Sequence, residues 1–351
     1  MRSTLNKAIA TAAIMAVSGA CGSSDYVGDP GYIPPPQASI VPLTDMGTAT
    51  YLGFPGGLYP GGAKIPPARH DSVGRARARA VQPLDVNGNV TAAGKYVLLS
   101  IGMSNTTQEF CSGSSAPPCD SWTFVGQALA DAAVEKTSLE LVNGAAGGRT
   151  ASAWDSPVDT DYDRIRDTRL APRGLSEQQV QIVWVKVANA QPSSSLPAGD
   201  ADAYLLVAQM GNIARALKTR YPNVRQVFFS NRIYAGYAVT TLNPEPYAYE
   251  SGFAVKWAVQ AQIDQKQTGT INVRAGNLNY DGVAPWIAWG PDLWAAGETA
   301  RSDGLFYTRN DLVADGTHPS QSGQQKVGRL LLDFFKGSAY TGCWFLAAGS
   351  C

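Results

Sequence analysis

Asp315 and His318 stand three residues apart in Asp315-Gly316-Thr317-His318-Pro319, joining a carboxylate and an imidazole late in the chain. The chain has only 2 histidines, so an imidazole base is either His318 or His70. A serine hydroxyl is weakly nucleophilic at neutral pH and needs an imidazole to take its proton. The imidazole needs a carboxylate to fix its tautomer and stabilise its cation. Taken alone, the same five residues also read as a surface turn, Asp-Gly followed by a proline-started helix. His70 lies in Ala68-Arg69-His70-Asp71, in a Gly/Pro-rich region, and reads as structural or exposed rather than catalytic.

These groups need elements to position them. From residue 96 apolar runs alternate with helical patterns. The spacing predicts strands at 96–101, 139–142, 181–187, 224–230 and 284–289, and helices at 122–136, 202–219, 249–265 and 322–335. In the last helix Val327, Leu330, Leu331 and Phe334 form one stripe. Continuous apolar strands alternating with helices predict an α/β fold, a parallel five-stranded sheet covered on both faces in a three-layer α/β/α sandwich. In such sheets functional groups gather at the carboxyl ends of the strands.

Three predicted strand ends carry candidate chemistry. The first runs into Gly102-Met103-Ser104-Asn105, which exposes a serine nucleophile behind a glycine. The second runs into Asn143-Gly144-Ala145-Ala146-Gly147-Gly148-Arg149-Thr150, where glycines let backbone N–H groups approach a ligand or simply make a turn. The third runs into Ala188-Asn189-Ala190, a turn or an amide donor. No Gly-x-Ser-x-Gly occurs, which argues against an α/β-hydrolase nucleophile elbow.

In this order and at these strand ends, Ser104, Gly148, Asn189, Asp315 and His318 resemble the motifs of the SGNH hydrolases, or GDSL esterases and lipases, over residues 96–336. The family Gly-Asp-Ser reads Gly102-Met103-Ser104, and Gly-x-Asn-Asp reads Val187-Ala188-Asn189-Ala190, while Asp-x-x-His is intact. The family glycine matches Gly148, with Gly147 as a one-residue shift. The resemblance implies a flavodoxin-like SGNH fold. It also implies Ser104 as nucleophile, His318 as base and Asp315 as its orienting carboxylate. The oxyanion would be held by the backbone N–H groups of Ser104 and Gly148 and by the Asn189 amide. It implies no metal and no organic cofactor. Asn105, Arg149, Tyr247 and Glu250 are candidate substrate contacts. Arg149 would meet substrate or a nearby carboxylate. Tyr247 and Glu250 would line a cleft or form a capped helix start.

The implied activity is hydrolysis of a small ester, such as an O-acetyl group on a carbohydrate. A non-catalytic surface or carbohydrate-binding protein and an acyltransferase using the same triad are the rival expectations. With 28 basic and 28 acidic residues the formal net charge is zero, so no nucleic-acid partner is implied. Arg75, Arg77 and Arg79 read as a solvated strand or turn. Asp159, Asp161 and Asp163 mimic the start of a calcium loop, but Arg164 and Leu170 stand where that loop needs glycine and glutamate. No motif sets an oligomeric state.

The amino end reads as an export signal over residues 1–21. Arg2 and Lys7 precede an apolar run too short to span a bilayer, then Ser18-Gly19-Ala20-Cys21. Cys21 fits a bacterial lipoprotein anchor, with ordinary cleavage near Ala20 as the alternative. The only membrane contact implied is that lipid anchor. The protein is expected in the bacterial cell envelope or outside the cell. Residues 22–37 read as a flexible tether, 38–95 as an irregular segment packed on the main domain, and 96–351 as the hydrolase-like domain with a C-terminal cysteine loop. Cys111, Cys119, Cys343 and Cys351 allow three pairings; proximity favours Cys111–Cys119 and Cys343–Cys351, with a metal site as the alternative.

Overall fold

The computed structural model describes residues 40–112 and 118–349. The proposed signal, the Cys21 anchor, the tether and Cys351 lie outside the described residues. In chain order the elements begin with α1 (Leu43–Met46), a small hairpin of β1 (Thr50–Tyr51) and β2 (Phe54–Pro55), and α2 (Ala68–Arg79). Then come β3 (Tyr96–Gly102), α3 (Ser104–Cys111), α4 (Phe124–Ala130), β4 (Leu139–Asn143), α5 (Thr160–Ile165) and β5 (Val180–Lys186). The chain continues through α6 (Asp202–Arg220), β6 (Gln226–Phe229), α7 (Tyr247–Thr268), β7 (Trp286–Trp289), α8 (Gln321–Gly337) and α9 (Gly342–Phe345).

β3 to β7 form one sheet in the order β4-β3-β5-β6-β7, and every pairing is parallel. All seven positions of β3 and of β5 are buried, which is why Tyr96–Leu99 and Ile182–Val185 within them read as apolar runs rather than alternating ones. Helices α6 and α7 pack together on one face, and α3, α4 and α8 on the other, joined there by α9 and α2. This is the expected three-layer α/β/α sandwich. The first strand of the sheet lies between the second and the third, so the chain reverses its winding direction between β3 and β5. Ligand sites of doubly wound sheets lie at such a switch point, beyond the carboxyl ends of the strands.

Two expectations need correction. Residues 68–79 form a regular helix, not irregular structure, and so include Arg75, Arg77 and Arg79. Its alternating Ala and Arg residues are strong helix formers, but its buried face is His70, Gly74 and Ala78, which leaves no stripe of large apolar residues to see. Gly74 lies against the Trp286 indole, where an added Cβ would come within 2.3 Å of the ring. Arg75 donates to Asp71 one turn earlier at 2.9 Å. The helix expected at 122–136 ends at Ala130. Beyond it the chain is held by other partners: Val134 bridges Leu346, and the Glu135 carboxylate accepts the backbone N–H groups of Thr137, Ser138 and Leu139 ahead of β4.

The β1–β2 hairpin is tied down by its aromatics. Phe54 meets Trp257 and Tyr51 stacks on Phe253, both on α7. Cys111 and Cys119 are disulfide-bonded, with a Cα–Cα distance of 4.8 Å. Among the described residues no helix is long and apolar enough to cross a membrane.

Candidate active site

β3 ends at Gly102, whose φ of 154° and close approach to the backbone exclude a side chain: a Cβ there would lie 2.2 Å from Lys186 O. The chain turns at once into α3, and Ser104 is its first helical residue. A helix start leaves backbone N–H groups unpaired and carries partial positive charge. The first turn is locked to the sheet. Thr106 Oγ1 donates to Lys186 O at 2.7 Å, and the Asn143 amide at the end of β4 donates to Thr107 O at 3.0 Å.

His318 comes from the loop between β7 and α8. Val313 N donates to His318 O at 2.9 Å, and Asn105 Nδ2 donates to Thr317 O at 2.9 Å, which pins this loop to α3. Ser104 Oγ lies 2.7 Å from His318 Nε2, and His318 Nδ1 lies 2.5 Å from Asp315 Oδ2. A carboxylate only accepts, so the ring proton sits on Nδ1 and the Nε2 lone pair faces the serine hydroxyl. Asp315 Oδ1 accepts the backbone N–H of Thr317 at 2.8 Å and of His318 at 2.9 Å. Burial would raise the Asp315 carboxyl, but these hydrogen bonds outweigh it and hold it below the usual carboxylate range.

A cavity of about 290 Å³ opens over this group. Met103, Gly148, Ala190 and Asn243 contribute to its wall, so the loops after four strands meet there. Gly148 has φ 73°, a left-handed conformation that favours glycine. Asn189 is not brought to the cavity: its amide donates to Asp202 O at 2.8 Å, at the start of α6. It shares a separate, very small recess with Tyr247 and Glu250. Glu250 is buried and accepts Leu196 N and Tyr51 O–H; burial raises its pKa to about 7. Arg149 pairs with Asp161 at 2.9 Å, so the nearby-carboxylate alternative describes its position. Of the four candidate substrate contacts, only Asn105 lines the cavity.

Two groups beside Ser104 were not legible in the sequence. The first is a buried ion pair, Lys186 on β5 with Glu109 on α3, at 2.5 Å with both side chains fully enclosed. Burial pushes the Lys186 ammonium down to about 8 against the attraction of Glu109. The second is Arg232, buried in the cavity wall after β6. An isolated lysine at a strand end and an isolated arginine in a loop carry no periodic signal that marks them as buried. His70 is far from this site, on α2 beside β7. Its Nε2–H donates to Ile287 O at 2.9 Å and its ring stacks on Trp286.

No family model matches the chain, and no curated protein does. Among solved structures it aligns with a GDSL-like lipase candidate from Parabacteroides merdae, at 10% identity and TM-score 0.37, over 72% of this chain and 97% of that one. An extracellular lipase from Streptomyces rimosus aligns at 14% identity and TM-score 0.34, over 68% and 97%. A carbohydrate esterase family 2 enzyme with a carbohydrate-binding domain, from Corynascus thermopiles (Myceliophthora fergusii), aligns at 13% identity and TM-score 0.34, over 70% and 66%. Likeness at this level is too weak to assign a family or an activity, and the chemistry rests on the side chains themselves.

Proposed function

We propose that the protein is a serine ester hydrolase of the SGNH type that deacylates a small ester. The observation that carries this reading is the hydrogen-bonded series Ser104–His318–Asp315 opening into a cavity at the switch point of the sheet. In the proposed reaction Ser104 Oγ bonds to the ester carbonyl carbon while its proton passes to His318 Nε2. The carbonyl oxygen becomes an oxyanion, held by the backbone N–H groups of Ser104 and Gly148. Collapse breaks the bond to the leaving alkoxide, which takes the proton from His318. Water, deprotonated by His318, then releases the acyl group as an acid. Asp315 holds the Nδ1–H tautomer throughout.

The substrate class that best fits a cavity of this size is a short acyl ester, such as an O-acyl group on a carbohydrate. Export is part of the proposal; the N-terminal pattern and the Cys111–Cys119 disulfide support an oxidising compartment. The test is a series of p-nitrophenyl esters of rising chain length, with Ser104→Ala beside the wild type. Turnover of short esters that falls by roughly 10³-fold or more in the variant is expected for loss of a triad nucleophile. A folded wild type inactive on every ester and acylated polysaccharide would leave a binding scaffold instead.

A further inference from the structure

We propose that the Ser104 cavity contains an anion subsite built on Arg232, so that the ester it takes carries a carboxylate close to the scissile bond. The ester part of this statement rests on the hydrolase reading above; the charge rests on Arg232.

Arg232 follows β6 in Ser230-Asn231-Arg232 and is 1% exposed. It lines the same cavity as Ser104 and His318 and is the one permanently charged residue of that lining among the described residues. Its Nε and Nη2 have no hydrogen-bond partner among the described residues. This edge of a guanidinium matches a carboxylate with two parallel bonds. Elsewhere in the chain it does so: Arg301 holds Asp303 at 2.9 and 2.6 Å, and Arg166 holds Asp167 at 2.7 and 2.9 Å.

The carboxylates around Arg232 are committed to other partners. Glu109 is paired with Lys186, and Asp315 with the His318 ring and two backbone N–H groups. Glu245 accepts Ala235 N, Tyr249 N and Trp294 Nε1. A buried cation with unmet donors is costly, and a ligand carboxylate supplies the missing partner. Asn243 Oδ1, a second buried atom without a partner, borders the same cavity. The Nε–Nη2 edge is enclosed, so engagement requires the Arg232 side chain to turn toward the ligand. A cavity of about 290 Å³ has room for a short dicarboxylic acyl group.

The experiment compares monoethyl succinate with ethyl butyrate, followed by acid release at constant pH. The wild type is expected to show a lower KM for the succinate ester. In Arg232→Gln the ratio of the two KM values should shift by roughly 10- to 100-fold against the anionic ester, the scale of a charge-assisted contact, and Arg232→Lys should restore part of it. An equal fall in kcat for both esters, with their KM ratio unchanged, overturns the subsite, because Arg232 would then act on charge common to every ester. Titration calorimetry of succinate into the Ser104→Ala protein reads the subsite without turnover and without altering Arg232. Succinate binding with no ester turned over sinks the hydrolase reading and supports the subsite. Turnover without succinate binding or anionic preference does the reverse.

Discussion

Which way one amide points decides much about this site. Asn189 stands at the strand end where the resemblance places an oxyanion donor, yet its amide is held by Asp202 O. Asn189→Ala is therefore expected to lower kcat by less than about tenfold, where loss of a true oxyanion donor costs roughly 100- to 1,000-fold. Steady-state kinetics on a short ester checks this, and a loss in the larger range would place the amide in the reaction after all. Ser104 was legible because it follows a buried strand, and Asp315 and His318 because histidine is so scarce and the two stand three residues apart. Arg232 was not, because an arginine is ordinarily exposed and only the folded chain shows this one enclosed. Met103 fills the position where the resembled motif has aspartate and forms cavity wall, while Asp315 bonds the His318 ring.

At the scale of elements, α2 shows how a helix docks without large apolar residues. His70 bonds Ile287 O and stacks on Trp286, and burial pushes its pKa from 6.5 down to about 4. The unfolded chain therefore takes up this proton first as pH falls. Stability from a neutral His70 is complete above about pH 6.5, declines below it and is lost near pH 4, a change worth roughly 3 kcal/mol. Other buried acids, Glu250 among them, shift stability in the opposite sense, so the comparison must be with His70→Gln. Urea unfolding at pH 7.5 and pH 4.5 should show a smaller acid-induced loss in the variant than in the wild type. Equal losses would mean that His70 protonates in the folded protein without penalty. The strands and long helices of the sheet were legible from their apolar periods. Helix α2 was not, because its buried face is too small to register in such a pattern.

Across the whole molecule, the Lys186–Glu109 pair joins the central strand β5 to the helix that presents Ser104. Removing one charge strands the other in the interior. Lys186→Met is expected to lower stability by roughly 3–5 kcal/mol, and adding Glu109→Leu should recover much of it, since an apolar pair of similar volume often serves as well. Equilibrium unfolding of the three variants checks this through the coupling between the two sites. A single variant as stable as the wild type would show that the neighbouring ion already sits neutral. Because Glu109 is on the same short helix as Ser104, the Lys186→Met protein should also lose the proposed esterase activity through displacement of Ser104.

By itself the sequence determined the α/β alternation, the strand ends, the serine that follows the first of them and the Asp315–His318 pair ahead of the last long helix. Those features depend on local spacing, on the periods of apolar residues and on the glycine that allows β3 to turn sharply into α3. Only the tertiary structure decided which polar groups face the cavity. Asn189 is claimed by a carbonyl that α6 brings from thirteen residues away, Glu250 by Leu196 and Tyr51, and Arg232 is buried with its Nε and Nη2 unmet among the described residues. The direction of a buried polar side chain is set by the partners it finds, and those partners arrive from segments that local sequence does not connect.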